Sequence, residues 1–337
     1  MVGSQSLGRR LLRGLSTAIG ALAAVVLALM LAGIVSPWPS ALAIRWLFER
    51  DGAATNQALQ ASVPAGIHTQ AALRYDPGDP DALLDIHRPA ASKDRQLPVI
   101  VWIHGGGFVA GSREEVANYA RILAGDGYAV VAVDYSLAPE AHYPRPVLQL
   151  NRALAFLVTN ARRLGLDPDH FVLGGDSAGA QLAGQLAALV SSPDYAQEMG
   201  VSPAITRAQL RGAVLFCGPH DARLMARKSS SSWFLRTVMW SYFGAQKPPL
   251  ATMEEFSVVP HVTALFPPTF VSVGNGDPLA PQSLALAEAL ERNGVRTETL
   301  FYPADLAPPL PHEYQFDLSH PESVEALRRT RAFLRTL

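Results

Sequence analysis

The sequence predicts an α/β fold, a mostly parallel sheet with helices on both faces, and three observations carry that prediction. From about residue 68 onward, short β-rich runs alternate with helical stretches. The inner runs are continuously apolar, as strands buried on both faces must be. Setting aside an apolar N-terminus leaves roughly 270 to 290 residues, enough for one large α/β domain or two small ones.

Eight strands are expected in order. The runs near Ala71–Tyr75 and Ala82–His87 flank Pro77-Gly78-Asp79-Pro80, turn chemistry that predicts an antiparallel hairpin at the sheet edge. Val99–Ile103, Ala129–Val133, Phe171–Leu173, Gly212–Phe216 and Thr269–Val273 are short apolar runs, read as buried strands, and Glu298–Phe301 closes the sheet. Helical patterns fall at Glu115–Ala124, Val147–Leu164, Ala178–Val190, Gln282–Arg292 and Glu322–Leu334. There is no internal repeat. Residues 219–266 hold no convincing strand but place Trp233, Phe234, Trp240, Tyr242 and Phe243 at loosely helical spacing. Such an insertion is either a lid or a helix packed on the periphery of the sheet.

Composition excludes several classes. The 337 residues carry 28 basic against 29 acidic side chains, a formal net charge of -1, so no electrostatic nucleic-acid partner is expected. Cys217 is the single cysteine, which rules out an intramolecular disulfide and a cysteine-built zinc site. It ends an apolar run and reads as a buried, inert thiol.

Between Arg13 and Arg45 no residue is charged, and Leu15–Val35 gives 21 almost purely apolar positions. As a helix this run is about 31 Å long, the thickness of a bilayer core. Arg9, Arg10 and Arg13 precede it, so the positive-inside bias leaves residues 1–14 cytoplasmic. The expected layout is a single-pass transmembrane signal-anchor over 15–35, a juxtamembrane helix and linker over 36–67, and an extracytoplasmic domain over 68–337. The alternative is secretion after cleavage near Ala43, since Ala41-Leu42-Ala43 fits a cleavage site.

Chemistry is carried by two glycine-rich motifs. Gly175-Asp176-Ser177-Ala178-Gly179 follows a strand and opens a helix, the setting in which a sharp turn presents a serine hydroxyl as a nucleophile. His104-Gly105-Gly106-Gly107-Phe108 follows the strand at Val99–Ile103. Three consecutive glycines let the backbone curl until its amides point outward together, which supplies donors to an oxyanion. A serine hydroxyl needs a base, and the base an orienting acid, in the chain order Ser, Asp, His. Asp277 follows the strand at Thr269–Val273, and His312 lies in the loop after the last strand. Such loops lie at strand C-terminal ends, where ligand chemistry gathers in open α/β sheets. His320 is the reserve candidate for the base; His220 and His261 precede Asp277 and have the wrong order.

Together these blocks resemble the hormone-sensitive-lipase-like esterases of the α/β-hydrolase superfamily, from about residue 80 to the end. Asp134-Tyr135-Ser136-Leu137-Ala138-Pro139-Glu140 and Asp277-Pro278-Leu279 are similar to further family blocks. The resemblance implies an eight-stranded mostly parallel sheet, with Ser177 as nucleophile, His312 as base and Asp277 as its orienter. It also implies the amides of Gly106, Gly107 and Ala178 as oxyanion donors. Three departures stand out: Ser136 where arginine is usual, Gln149 where aspartate often follows, and Glu313 where glycine commonly follows the histidine. The implied activity is hydrolysis of a small-molecule carboxylic ester through a covalent acyl-enzyme, with no cofactor or metal. A serine peptidase or amidase, or a non-catalytic binding protein, are the alternatives on the same fold. If the aromatic insertion covers Ser177, then Phe108, Trp233 and Trp240 wall the acyl pocket, and acyl groups of roughly two to eight carbons are preferred.

Overall fold

A computed structural model describes residues 17, 19–26, 28, 32–92, 95–229 and 232–337. Eight strands form one sheet: β1 (Ile67–Arg74), β2 (Leu83–Pro89), β3 (Leu97–Ile103), β4 (Ala129–Val133), β5 (Leu166–Asp176), β6 (Leu210–Phe216), β7 (Thr269–Val273) and β8 (Thr297–Phe301). Their order is β1-β2-β4-β3-β5-β6-β7-β8. β2 runs antiparallel to both β1 and β4, and every later pairing is parallel, so the expected edge hairpin and parallel body are both present.

The apolar runs make strands because their alternate residues feed two cores. Val99, Val101 and Ile103 of β3 enter one core, while Ile100 and Trp102 enter the other. The helices used below are α1 (Trp38–Leu59), α2 (Ala117–Ala124), α3 (Arg145–Thr159), α4 (Ser177–Ser191), α5 (Ala222–Ser229), α6 (Trp233–Phe243), α7 (Leu250–Phe256), α8 (Ala280–Arg292) and α9 (Pro321–Leu334). The core with Val101 takes side chains from α3 and α4; the core with Trp102 takes them from α2 and α9. Helix α4 is buried along nearly its whole length, which is why its sequence is almost uniformly Ala, Leu, Gly and Gln.

The expected transmembrane anchor over 15–35 does not stand. Among the described residues no helix is long and apolar enough to cross a membrane. Residues 15, 16, 18, 27 and 29–31 of that run lie outside the described residues. The next helix, α1, has the length, but Arg45, Glu49, Arg50 and Asp51 fall inside it, and each charge at a bilayer centre costs about 2.5 to 3.5 kcal/mol. The single-pass anchoring, the membrane partner and the extracytoplasmic placement argued from that run are withdrawn with it. A cleavage site near Ala43 would fall inside α1, beside the buried Ala41 and Ile44.

Helix α1 is instead fastened to the domain. Arg45 donates to the carbonyls of Val109 at 2.6 Å and Ala138 at 2.9 Å, and reaches both oxygens of Glu140 at 2.7 Å. Asn118 donates from its backbone and side-chain amides to the side-chain and backbone oxygens of Asn56, two bonds that tie the same helix to α2. Arg45→Ala should therefore cost about 2 kcal/mol in urea unfolding, because it strips charge-assisted bonds from two carbonyls. Glu140→Ala should cost under about 1 kcal/mol, since it removes a half-exposed ion pair alone. Equal losses for the two variants would show that the carbonyl bonds contribute nothing.

Candidate active site

Strand β5 ends and α4 begins without a connecting loop, so Ser177 sits on the turn between them with φ at +50°. A side chain in this left-handed region is strained, and close packing holds it there. A Cβ added to Gly175 would lie 2.5 Å from the backbone of Gly179 and 2.6 Å from the carbonyl oxygen of Ile103. One added to Gly179 would run into the carbonyls of Ile103 and His104. The two glycines let the turn press against the end of β3.

The other two expected residues meet this serine. His312 Nε2 lies 2.9 Å from Ser177 Oγ, and its Nδ1 lies 2.7 Å from Asp277 Oδ2. The second carboxylate oxygen of Asp277 accepts from the Leu279 amide at 2.7 Å, so the acid is held at the entry to α8 while it faces the imidazole. Asn275 brings the two loops into register: its side-chain amide donates to the carbonyls of Leu306 and Pro303, and its oxygen accepts from the Leu310 amide at 2.8 Å. Sequence reasoning did not assign Asn275 a role; its place between Gly274 and Gly276 is the available signal. Burial favours the neutral imidazole of His312, and the Cys217 sulfur, the hydrogen bond to Asp277 and the Glu313 carboxylate together outweigh it, raising the group well above the ordinary histidine range.

In the glycine-rich loop, Gly106 and Gly107 adopt positive φ of +99° and +61°. Among the described residues neither of their amides donates to a protein acceptor. Ala178 lies in the first turn of α4, where amides have no partner within the helix. His104 is buried, kept neutral by desolvation, and stacked on Tyr135 at 4.4 Å. Asp176 is buried too: its oxygens accept from Trp102 Nε1 at 2.9 Å and from the Gly105 amide at 2.7 Å. This carboxyl, unassigned from sequence, joins β5, β3 and the glycine-rich loop.

The remaining candidates lie elsewhere. His320 pairs with Asp317 on the surface at 3.4 Å, His261 stacks on Tyr195, and His220 is fully buried and held neutral, its pKa lowered to about 3 by burial. Cys217 is buried as expected, and burial pushes its thiol up. Its sulfur nonetheless falls beside Asp277 and His312, with the donor atoms of the three within 4.8 Å of one another. His312 already spends both ring nitrogens on Asp277 and Ser177, and three donors fall short of a closed tetrahedral zinc site.

Ser177 opens into a cavity of about 670 Å³. Its walls include Phe48 and Thr55 of α1, and Phe234, Leu235 and Val238 of α6. The insertion therefore reaches the site, but through different rings from those expected. Trp233 is 52% exposed and Trp240 is outside the cavity wall, whereas Phe234 packs on Phe48 at 5.7 Å. Phe108 lines the cavity and stacks on Tyr242 at 4.0 Å.

Comparison with known proteins bears on the fold and the family. A family model described as the alpha/beta hydrolase fold matches residues 100–306. The carboxylesterase NlhH of Mycobacterium tuberculosis is 31% identical over 271 residues, covering 77% of this chain and 80% of NlhH. The esterase LipQ of the same organism is 32% identical over 228 residues, 66% of this chain, but the match spans only 53% of LipQ. Among solved structures, esterase B of Lactobacillus rhamnosis superposes with a TM-score of 0.73 at 28% identity, covering 88% of this chain and 97% of that one. The chain belongs to the α/β-hydrolase fold family, in its hormone-sensitive-lipase-like branch.

Proposed function

We propose that the protein is a serine carboxylesterase that hydrolyses short- to medium-acyl esters through Ser177, His312 and Asp277. The observation that carries this reading is the unbroken hydrogen-bond chain from Ser177 Oγ through both nitrogens of His312 to Asp277 Oδ2. His312 takes the serine proton as Oγ attacks the ester carbonyl, and the tetrahedral oxyanion is received by the amides of Gly106, Gly107 and Ala178. Collapse expels the alcohol, which takes the proton from His312 and leaves Ser177 acylated. Water then attacks the acyl group by the same route, with His312 as base, releasing the acid and restoring the serine. Asp277 holds the tautomer with the proton on Nδ1 and stabilises the imidazolium.

The insertion over 219–266 serves in this reading as part of the cover of the acyl pocket, together with α1. The size class rests on the cavity and its aromatic wall, and esterase B, the structural relative, has been crystallised with a tributyrin phosphonate.

Ser177→Ala should abolish turnover of an activated acetate ester while the circular dichroism spectrum is unchanged. Asp277→Asn should lower kcat by about 10⁴-fold, and His320→Ala should leave it within about twofold. Near-normal turnover by folded Ser177→Ala would contradict the mechanism.

A second measurement addresses the pocket. Across p-nitrophenyl esters, kcat/KM should peak at about two to eight acyl carbons, and Phe234→Ala should move the optimum to longer chains. An unchanged optimum would remove Phe234 from the acyl pocket.

A further inference from the structure

The residue after His312 is Glu313, where the resemblance leads one to expect glycine, and the mechanism above makes no use of its carboxyl. Its backbone is left-handed, with φ at 58° and ψ at 28°. That turn carries the carboxyl back past the imidazole, so that Oε1 lies 3.8 Å from His312 Nε2. On its other side the same carboxyl faces Asp176 across Gly105, whose amide Asp176 already holds. Both acids crowd Gly105: a Cβ built there would lie 2.8 Å from Glu313 Oε1 and closer still to Asp176 Oδ2. Asp176 is buried while Glu313 is 34% exposed, so of two carboxyls facing each other it is Asp176 that resists ionisation, and a proton on it removes the repulsion and makes a donor to Glu313.

We propose that Asp176 carries a proton and donates it in a hydrogen bond to Glu313, and that Glu313 is a positioning residue whose bridge fastens the His312 loop to the nucleophile turn and, through Gly105, to the glycine-rich loop. This rests on the triad reading above. Four titratable groups face Glu313: Asp176 at the end of β5, His312 on its own loop, Glu115 from the segment before α2 and Cys217 at the end of β6. Burial comes first and Glu313 second in holding Asp176 well above the ordinary carboxyl range. Burial, aided by neighbouring carboxylates, likewise pushes Glu115 up to about 7. Of the four, only His312 can become cationic.

The consequence is an alkaline limb in activity. When the pair gives up its proton, two facing carboxylates repel and the His312 loop parts from Ser177. The acid limb has a separate origin, since His312 must be neutral to act as base. A glutamine at 313 donates to Asp176 and cannot ionise, so it keeps the bridge without the titration.

The test is kcat and KM against pH for the wild type, Glu313→Gln and Glu313→Ala, with folding checked by circular dichroism at each pH. The wild type should give a bell-shaped kcat profile. Glu313→Gln should lose the alkaline limb, and its acid limb should move to lower pH because the imidazolium has lost a neighbouring negative charge. Glu313→Ala should lower kcat at neutral pH by about tenfold with KM within about twofold, and Glu313→Gln should recover most of that loss. An alkaline limb identical in wild type and Glu313→Gln, or no alkaline limb in the wild type, would overturn the proposal. If the variants fail to fold, infrared difference spectra of the wild type decide: a protonated-carboxyl carbonyl band should vanish along the alkaline limb, and its absence would overturn the bridge. Turnover by Ser177→Ala would sink the triad reading instead, so the two failures are distinguishable.

Discussion

Everything at the site depends on how closely the turn after β5 approaches the end of β3. The backbone at Gly175 and Gly179 lies against the carbonyls of Ile103 and His104 with no room for a methyl group. That contact holds Ser177 at positive φ and sets the glycine-rich loop beside it. β3 and β5 are neighbours in the middle of the sheet, so the turn and the loop leave from adjacent strand ends. Loops after β7 and β8 then need only reach sideways to deliver Asp277 and His312, and Asn275 keeps those two loops in register.

A buried acid reinforces the same junction. Asp176 bonds the indole of Trp102 and the amide of Gly105, so one carboxyl holds the nucleophile turn to a core tryptophan and to the glycine-rich loop. A buried ionised carboxylate is costly unless its bonds are complete or it takes up a proton. Its contact with Glu313 makes the second outcome the natural one. Around this rigid base the cavity is closed by separately attached parts. Helix α1 is held by Arg45 and Asn56, and Gln181 and Gln185 of α4 bind the carbonyls of Phe256 and Glu255 at the end of the insertion.

The sheet was legible because burial on both faces leaves a plain signature: Val99 to Ile103 must be apolar throughout when its alternate residues enter two cores. Ser177, Asp277 and His312 were placed by motif and chain order, and the structure brings all three into hydrogen-bond contact. What escaped was set by contacts distant in sequence. Helix α1 exposes Trp38, Leu42 and Trp46 and buries Ala41 and Ile44, so its more apolar stripe points away from the domain and gave no hint that Phe48 lines the cavity. The loose spacing of aromatics in the insertion did not fix the helix phase, and Phe234 rather than Trp233 turned inward. The anchor expected over 15–35 rests on hydropathy, length and flanking arginines, which measure the fitness of a segment to leave water and not where it goes.

The central claim is that Ser177 becomes covalently acylated, and the most direct measurement is trapping with a short-chain phosphonate ester followed by peptide mass spectrometry. The account predicts one adduct per chain, on the peptide containing Gly175 to Gly179 and located at Ser177, formed at a rate that falls at least about a thousandfold in His312→Ala. An adduct on any other residue, or stoichiometric loss of activity with Ser177 unmodified, would contradict it.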